Sequence, residues 1–187
     1  MTEPAHPERS PRALVTEARE KYGDGVIVRW CADLLRSRVS PSDPDSPSLG
    51  WIGGRHALSE LRVGRIAERG QDYWIRTWAA RAFLYVWGPE AIPAVCAGLS
   101  DPAWRVREMS AKVVRLREID EAADLLPELA DDETPRVRVA ALRAIAVVAE
   151  AEAAQAIRAR LDDDDDAVRD AAETALARLS ERLDREL

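Results

Sequence analysis

Apolar residues along the second half of the chain recur on a fixed period. An apolar-arginine pair stands at Ile75-Arg76, Val106-Arg107, Val137-Arg138 and Val168-Arg169, 31 residues apart each time. From Val168, apolar residues follow at Ala171, Ala172, Ala175, Leu176 and Leu179, the rhythm of one helix face. The first copy places Trp78, Ala79, Ala82, Phe83 and Val86 in that frame, and the third places Ala140, Ala141, Ala144, Ile145 and Val148. The second keeps it through Met109, Val113 and Val114, with polar departures at Ser110 and Arg117. The pattern predicts helices near 74–87, 103–117, 135–149 and 166–180. A repeat of this length signals stacked supersecondary units.

A shorter helix is expected before each of the last three copies, marked by Val95 and Leu99, Leu125 and Leu129, and Ile157 and Leu161. Between the two helices lie Ser100-Asp101-Pro102, the run 131–135 and the aspartates 162–166. Asp101 before Pro102 and Thr134 before Pro135 read as an N-cap followed by proline at the first helical position. Gly88-Pro89 stops one hairpin and opens the next. Each unit is therefore helix, short acidic turn, helix.

Upstream, the pattern is less regular. Residues 1–11 are proline-rich and charged and read as a disordered tail, with no apolar stretch of the kind a secretory signal needs. Residues 12–50 read as capping helices, Arg12–Tyr22 and Val26–Val39, split by Gly23-Asp24-Gly25, then a flexible Pro/Ser loop over 40–48. Trp51-Ile52-Gly53-Gly54 leads into a helix running to about Arg69, and 51–187 is the repeat region.

The run Asp101-Pro102-Ala103-Trp104-Arg105-Val106-Arg107, followed by an Ala-rich helix, resembles the HEAT repeat family, in particular the short HEAT-like repeats of many bacterial proteins. The resemblance covers roughly residues 55–180. It implies an all-α fold, a right-handed, armadillo-like α-solenoid of helical hairpins whose second helices line a concave surface. It also implies that Arg76, Arg107, Arg138 and Arg169 are structural, each reaching an acidic group in an inter-helix turn. Asp101, Asp132 and Asp163 stand in suitable places for this. Such folds serve many roles, so the resemblance specifies architecture far better than activity.

Composition narrows the picture. Of 187 residues, 47% are hydrophobic and 33% charged, and no apolar run is long enough to span a bilayer. Cys31 and Cys96 form no disulfide framework, and a cytoplasmic location is expected. The net charge of −7 is uneven: residues 1–120 carry +2 and residues 121–187 carry −9.

Five residues after the first three ladder arginines stand Arg81, Lys112 and Arg143, off the core stripe, with Thr174 in the fourth copy. Arg105, Arg136, Arg115, Trp74 and Trp104 share the neighbourhood. On a concave surface these side chains would form a basic, aromatic-bearing groove for an acidic protein segment or for phosphates. The competing reading is a solvated helix face neutralised by Glu108 and other acids. Trp78 belongs to the core stripe. The aspartates 162–166 lack the turn glycine of a calcium loop and suit a helix N-terminus. His56 and Glu60 are one helical turn apart without a visible third metal ligand. No catalytic motif, metal site or cofactor is predicted. The expectation is a non-catalytic interaction scaffold whose partner is a protein or peptide. A nucleic-acid binder comparable to the HEAT-like alkylbase DNA glycosylases is the alternative, and a lyase- or chaperone-like role, which the resemblance also permits, comes third. No membrane association is expected.

Overall fold

The computed structural model describes residues 2–62 and 71–186, the side chains of 60–62 excepted. Among these residues all regular structure is helical, and the architecture is that of an α-solenoid of helical hairpins. The chain divides into two compact units, Met1–Gly98 and Leu99–Leu187.

In the first unit, α1 (Pro11–Tyr22) starts at Ser10, whose hydroxyl accepts from the Ala13 N–H at 3.3 Å, with Pro11 in the first turn. Gly23, at φ 84°, separates it from α2 (Asp24–Leu35), which ends four residues before the expected Val39. Then follow α3 (Gly50–Arg62), α4 (Tyr73–Ala82) and, after a 3-10 turn at Pro89–Ala91, α5 (Ile92–Gly98). Residues 63–69 of the helix expected to run to Arg69 lie outside the described residues. Helix α1 packs on α3 and α2 on α4. The core between them holds Leu14, Ile27, Leu34, Ile52 and Phe83, each at most 2% exposed. Burying side chains of this size contributes about 1.5–3 kcal/mol apiece.

Three expectations for this unit are corrected. Residues 2–9 are not a free tail. The Trp51 indole N–H donates to the Thr2 carbonyl at 2.8 Å, the Arg55 N–H donates to the Pro7 carbonyl at 2.8 Å, and Pro4 is buried. Prolines have no N–H to satisfy, so a proline-rich segment can lie against a helix with fewer donors to pair. The Pro/Ser segment 40–48 is a set of hydrogen-bonded turns, Asp43 N–H to Ser40 O and Ser46 N–H to Asp43 O, leading into buried Pro47 and Ser48. Helix α4 stops at Ala82 instead of continuing to 87. Tight turns replace it through Tyr85, whose carbonyl accepts from the Arg19 guanidinium at 3.1 Å.

The second unit is regular. It contains α6 (Trp104–Arg117), α7 (Leu126–Leu129), α8 (Pro135–Val148), α9 (Ala154–Arg158) and α10 (Asp166–Leu183), with 3-10 turns leading into α7 and α9. Helix α8 lies between α6 and α10, while α7 packs on α8 and α9 on α10. Two layers result, one of long second helices and one of short first helices. The stripe residue after each ladder arginine's turn is Ala79, Ser110, Ala141 or Ala172, all wholly buried. Only a small side chain fits there, which is why a serine can stand among alanines. Its hydroxyl has no hydrogen-bond partner among the described residues. Glu118 (φ 52°) and Asp184 (φ 50°) end α6 and α10 in the left-handed region. The Arg182 guanidinium of α10 donates to the Ala146 and Ala149 carbonyls at the end of α8.

Candidate functional site

The acidic turns and the ladder arginines build one repeated device in the second unit. Asp132 Oδ1 accepts from the Thr134 N–H at 2.8 Å, and Asp163 Oδ1 accepts from the Asp165 N–H at 3.1 Å. Asp101 does the same to Ala103 at 2.8 Å, so α6 begins at Trp104, two residues beyond the expected Asp101-Pro102 cap. At the next turn Thr134 is the N-cap residue of α8, although its side chain makes no cap hydrogen bond. Each arginine then reaches back to its own turn. Arg107, Arg138 and Arg169 donate through Nη1 to the carbonyls of Asp101, Asp132 and Asp163 at 2.9, 2.8 and 2.6 Å. Two of them also reach forward into the following turn. Arg107 grips Asp132 with both arms, Nε to Oδ2 at 2.6 Å and Nη2 to Oδ1 at 3.0 Å. Arg138 Nη2 donates to Asp163 Oδ1 at 2.7 Å. Arg169, in the last copy, pairs with Asp166 instead.

These ion pairs are nearly dry. The side chains of Arg107 and Asp132 are 12% and 7% exposed. Burial alone would raise the Asp132 carboxyl, but the hydrogen bonds from Arg107 and the Thr134 N–H outweigh it, and its pKa falls below the ordinary carboxylate value. Asp163 follows the same logic, with Arg138 and the Asp165 N–H as donors. Within the aspartate run 162–166, Asp163 therefore serves the ladder. Asp165 caps α10 by accepting from Ala167 and Val168, and Asp166 holds Arg169. In the first unit Arg76 pairs with Asp72, the N-cap residue of α4, at 2.8 Å.

The face of α6 and α8 outside the ladder carries a different grouping. Trp104 has two guanidinium groups against its ring, Arg105 at 4.2 Å and Arg136 at 5.5 Å from the centroid. One turn along α6, the buried Glu108 accepts from Lys112 Nζ at 2.9 Å and from Arg136 Nε at 3.1 Å. Glu108 thus ties α6 to α8 and fixes both cations, while Lys112 and Arg136 keep side-chain exposures of 40% and 67%. Arg143 follows Arg136 by two turns on α8, roughly 10 Å along the helix axis. It is exposed and makes no ion pair or hydrogen bond among the described residues. Arg115, on α6, is exposed as well.

The remaining candidates lie elsewhere. Arg81 does not stand on an open helix face: its Nη2 donates to the Ile52 carbonyl at 2.6 Å, and burial pushes its pKa down. Trp74 belongs to an aromatic cluster of the first unit, stacked on Trp78 at 6.1 Å and edge-on to His56 at 6.3 Å. Trp78 is buried, as its place on the core stripe predicts. The structure therefore gathers Trp104, Arg105, Lys112 and Arg136 into one cluster, and places Arg81 and Trp74 in the first unit. The organiser of that cluster, Glu108, is read from sequence only as a neutralising charge. Its i, i+4 spacing to both Trp104 and Lys112 is the signal that could single it out.

Residues 92–177 match the family model of HEAT repeats. This stretch is a HEAT-repeat array. No curated protein and no solved structure matches the chain. HEAT repeats generally mediate protein–protein interaction, and the Trp104 cluster lies within the matched array. No described helix is long and apolar enough to cross a membrane.

Proposed function

We propose that this HEAT-repeat protein is a non-catalytic interaction module that receives an acidic segment of a partner protein on the α6–α8 face. Trp104 is the anchor, Arg105 and Arg136 stand against it, and Lys112 and Arg143 continue the basic surface. The single observation that carries this reading is Trp104 with two guanidinium groups against its ring, beside a buried Glu108 that fixes Arg136 and Lys112 in place. An aromatic ring with pre-oriented arginines is the composition of an interface hot spot, and pre-organisation lowers the entropy cost of docking. The net charge argues for a protein partner over nucleic acid. Residues 99–187 hold 14 Lys and Arg against 22 Asp and Glu, so the basic face is local and a long polyanion would meet repulsion around it.

Fluorescence anisotropy tests the proposal, with a labelled Asp/Glu-rich peptide, single-stranded DNA and duplex DNA titrated at low and physiological salt. The peptide should bind, and Trp104→Ala should weaken it by about tenfold or more with unchanged helical circular dichroism. Tighter binding to DNA than to the peptide at physiological salt would replace this reading with the nucleic-acid one. Binding indifferent to Trp104→Ala and Arg136→Glu would remove the α6–α8 face from consideration.

A further inference from the structure

The first unit contains a cavity of about 480 Å³, of the size that small organic ligands occupy. Its walls come from the docked N-terminal segment, α1, α3 and α4. Pro7 and Pro11 supply the accessible apolar surface, Leu14 and Trp78 form a floor that is 1% and 4% exposed, and Arg9, Arg55, His56 and Arg81 supply polar nitrogen. Arg81 is central to its chemistry. One arm of its guanidinium is spent on the Ile52 carbonyl, and no carboxylate pairs with it among the described residues. A partly buried cation without a counter-anion is costly, and an anion entering the cavity would relieve that cost. The other arginines differ in availability: Arg9 is paired with Glu17, whereas the Arg55 side chain is exposed at the rim. Glu8, the one acid in the lining, is half-exposed and 3.3 Å from His6 Nδ1, and it feels the charge of Arg55; it makes no pair with Arg81, which is the cation left for an incoming anion.

We infer that this cavity binds a small organic acid, with its oxyanion head on Arg81 and Arg55 and a flat apolar body against Pro7 and Pro11. The planar guanidinium fork matches either a carboxylate or a phosphate monoester. The geometry of the wall depends on Gly54. At φ 63° and ψ −150° it breaks α3, and an added Cβ would stand 2.8 Å from the carbonyl of Pro7, which lines the cavity. This site is independent of the α6–α8 face and survives or fails separately from it.

The test is an amide and indole NMR titration of the full chain with four probes: benzoate, phenyl phosphate, inorganic phosphate and the uncharged benzyl alcohol. Benzoate or phenyl phosphate should give saturable shifts at Gly53, Gly54, Arg55 and the Trp78 indole, and whichever binds tighter distinguishes a carboxylate head from a phosphate head. Benzyl alcohol and inorganic phosphate should bind about tenfold more weakly, since each lacks half of the recognition. Arg81→Gln should weaken the better ligand by about tenfold, and Arg143→Gln, in the other unit, should leave it unchanged. Should Arg81→Gln fail to fold, Arg55→Gln at the rim provides the same comparison, with a smaller loss of about threefold. Absence of saturable shifts up to about 10 mM of either aromatic anion overturns the proposal, because even a millimolar site would be filled there. Equal binding of benzyl alcohol and benzoate overturns it as well.

Discussion

The two units solve the same problem, closing a stack of helices, by opposite means. The second repeats one device. Asp101, Asp132 and Asp163 each bind an N–H two residues on, and Arg107, Arg138 and Arg169 each bind back to the carbonyl of that aspartate. The forward reach of Arg107 and Arg138 then joins neighbouring turns. The first unit is closed by features that occur once: the break at Gly54, the docked segment 2–9, the Arg19 donation to Tyr85, and the aromatic cluster around Trp78. A periodic unit makes each contact predictable from its neighbours, as expected for nearest-neighbour energetics. An aperiodic unit leaves room for a cavity, because its surfaces do not tile.

Substitutions at the ladder should separate the two units most sharply. Asp132→Ala removes one partner of a pair whose side chains are 12% and 7% exposed, and leaves the nearly dry Arg107 with only the exposed Glu133 carboxylate at 3.6 Å and the carbonyls of its own turn. The expected loss is about 3–5 kcal/mol, measured by urea unfolding. A loss below about 1 kcal/mol would mean that packing alone holds the hairpins, as for an exposed pair. The matching experiment in the first unit is Gly54→Ala. Its φ and ψ belong to a region almost reserved for glycine, and the new methyl would press on the Pro7 carbonyl. A cost of about 1–3 kcal/mol is expected, together with release of residues 2–9 to limited proteolysis. If protease resistance persists, the docked segment does not depend on the break.

Acid should act on the second unit before the first. The folded-state pKa values of Asp132 and Asp163 lie below the ordinary value, so their contribution is fully present above the unfolded pKa of about 4. That contribution is lost as pH falls through the folded values. Hydrogen exchange of α8 amides should therefore accelerate below about pH 4 in the parent protein, and this pH sensitivity should shrink in Asp132→Asn and largely vanish in Asp132→Asn with Asp163→Asn. Acceleration beginning well above that pH would assign the transition to other groups. The smallest effect concerns Ser110, the serine that stands among alanines on the buried stripe. Ser110→Ala removes a buried hydroxyl without a partner among the described residues, and should raise stability by about 1 kcal/mol in thermal unfolding. A destabilising result would reveal a hydrogen bond that Ser110 makes in solution.

How far the sequence carries depends on whether a contact is repeated. Arg107 and Asp132 can be associated from sequence because both recur on the same 31-residue period, so a ladder needs only one assumption about stacking. The Trp104 cluster is half legible. The residue types and their helical spacing are visible, yet the meeting of Arg136 with Glu108 joins positions 28 residues apart on different helices. Arg81 shares a column with Lys112 and Arg143 in the sequence, but α3 offers it the Ile52 carbonyl and takes it off the helix face. Trp74 is drawn into contact with His56 and Trp78 in the same way.

The sequence by itself determined the helical class, the length of the repeat, the buried stripe and the aspartate turns, because these follow from local periodicity and from backbone groups that must be satisfied nearby. The tertiary structure alone decided where the N-terminal segment lies, how α3 breaks, which cations are covered and which stay open, and that the first unit carries an open cavity. Those outcomes depend on side chains distant in sequence meeting in one place, and a contact made only once leaves no period to read.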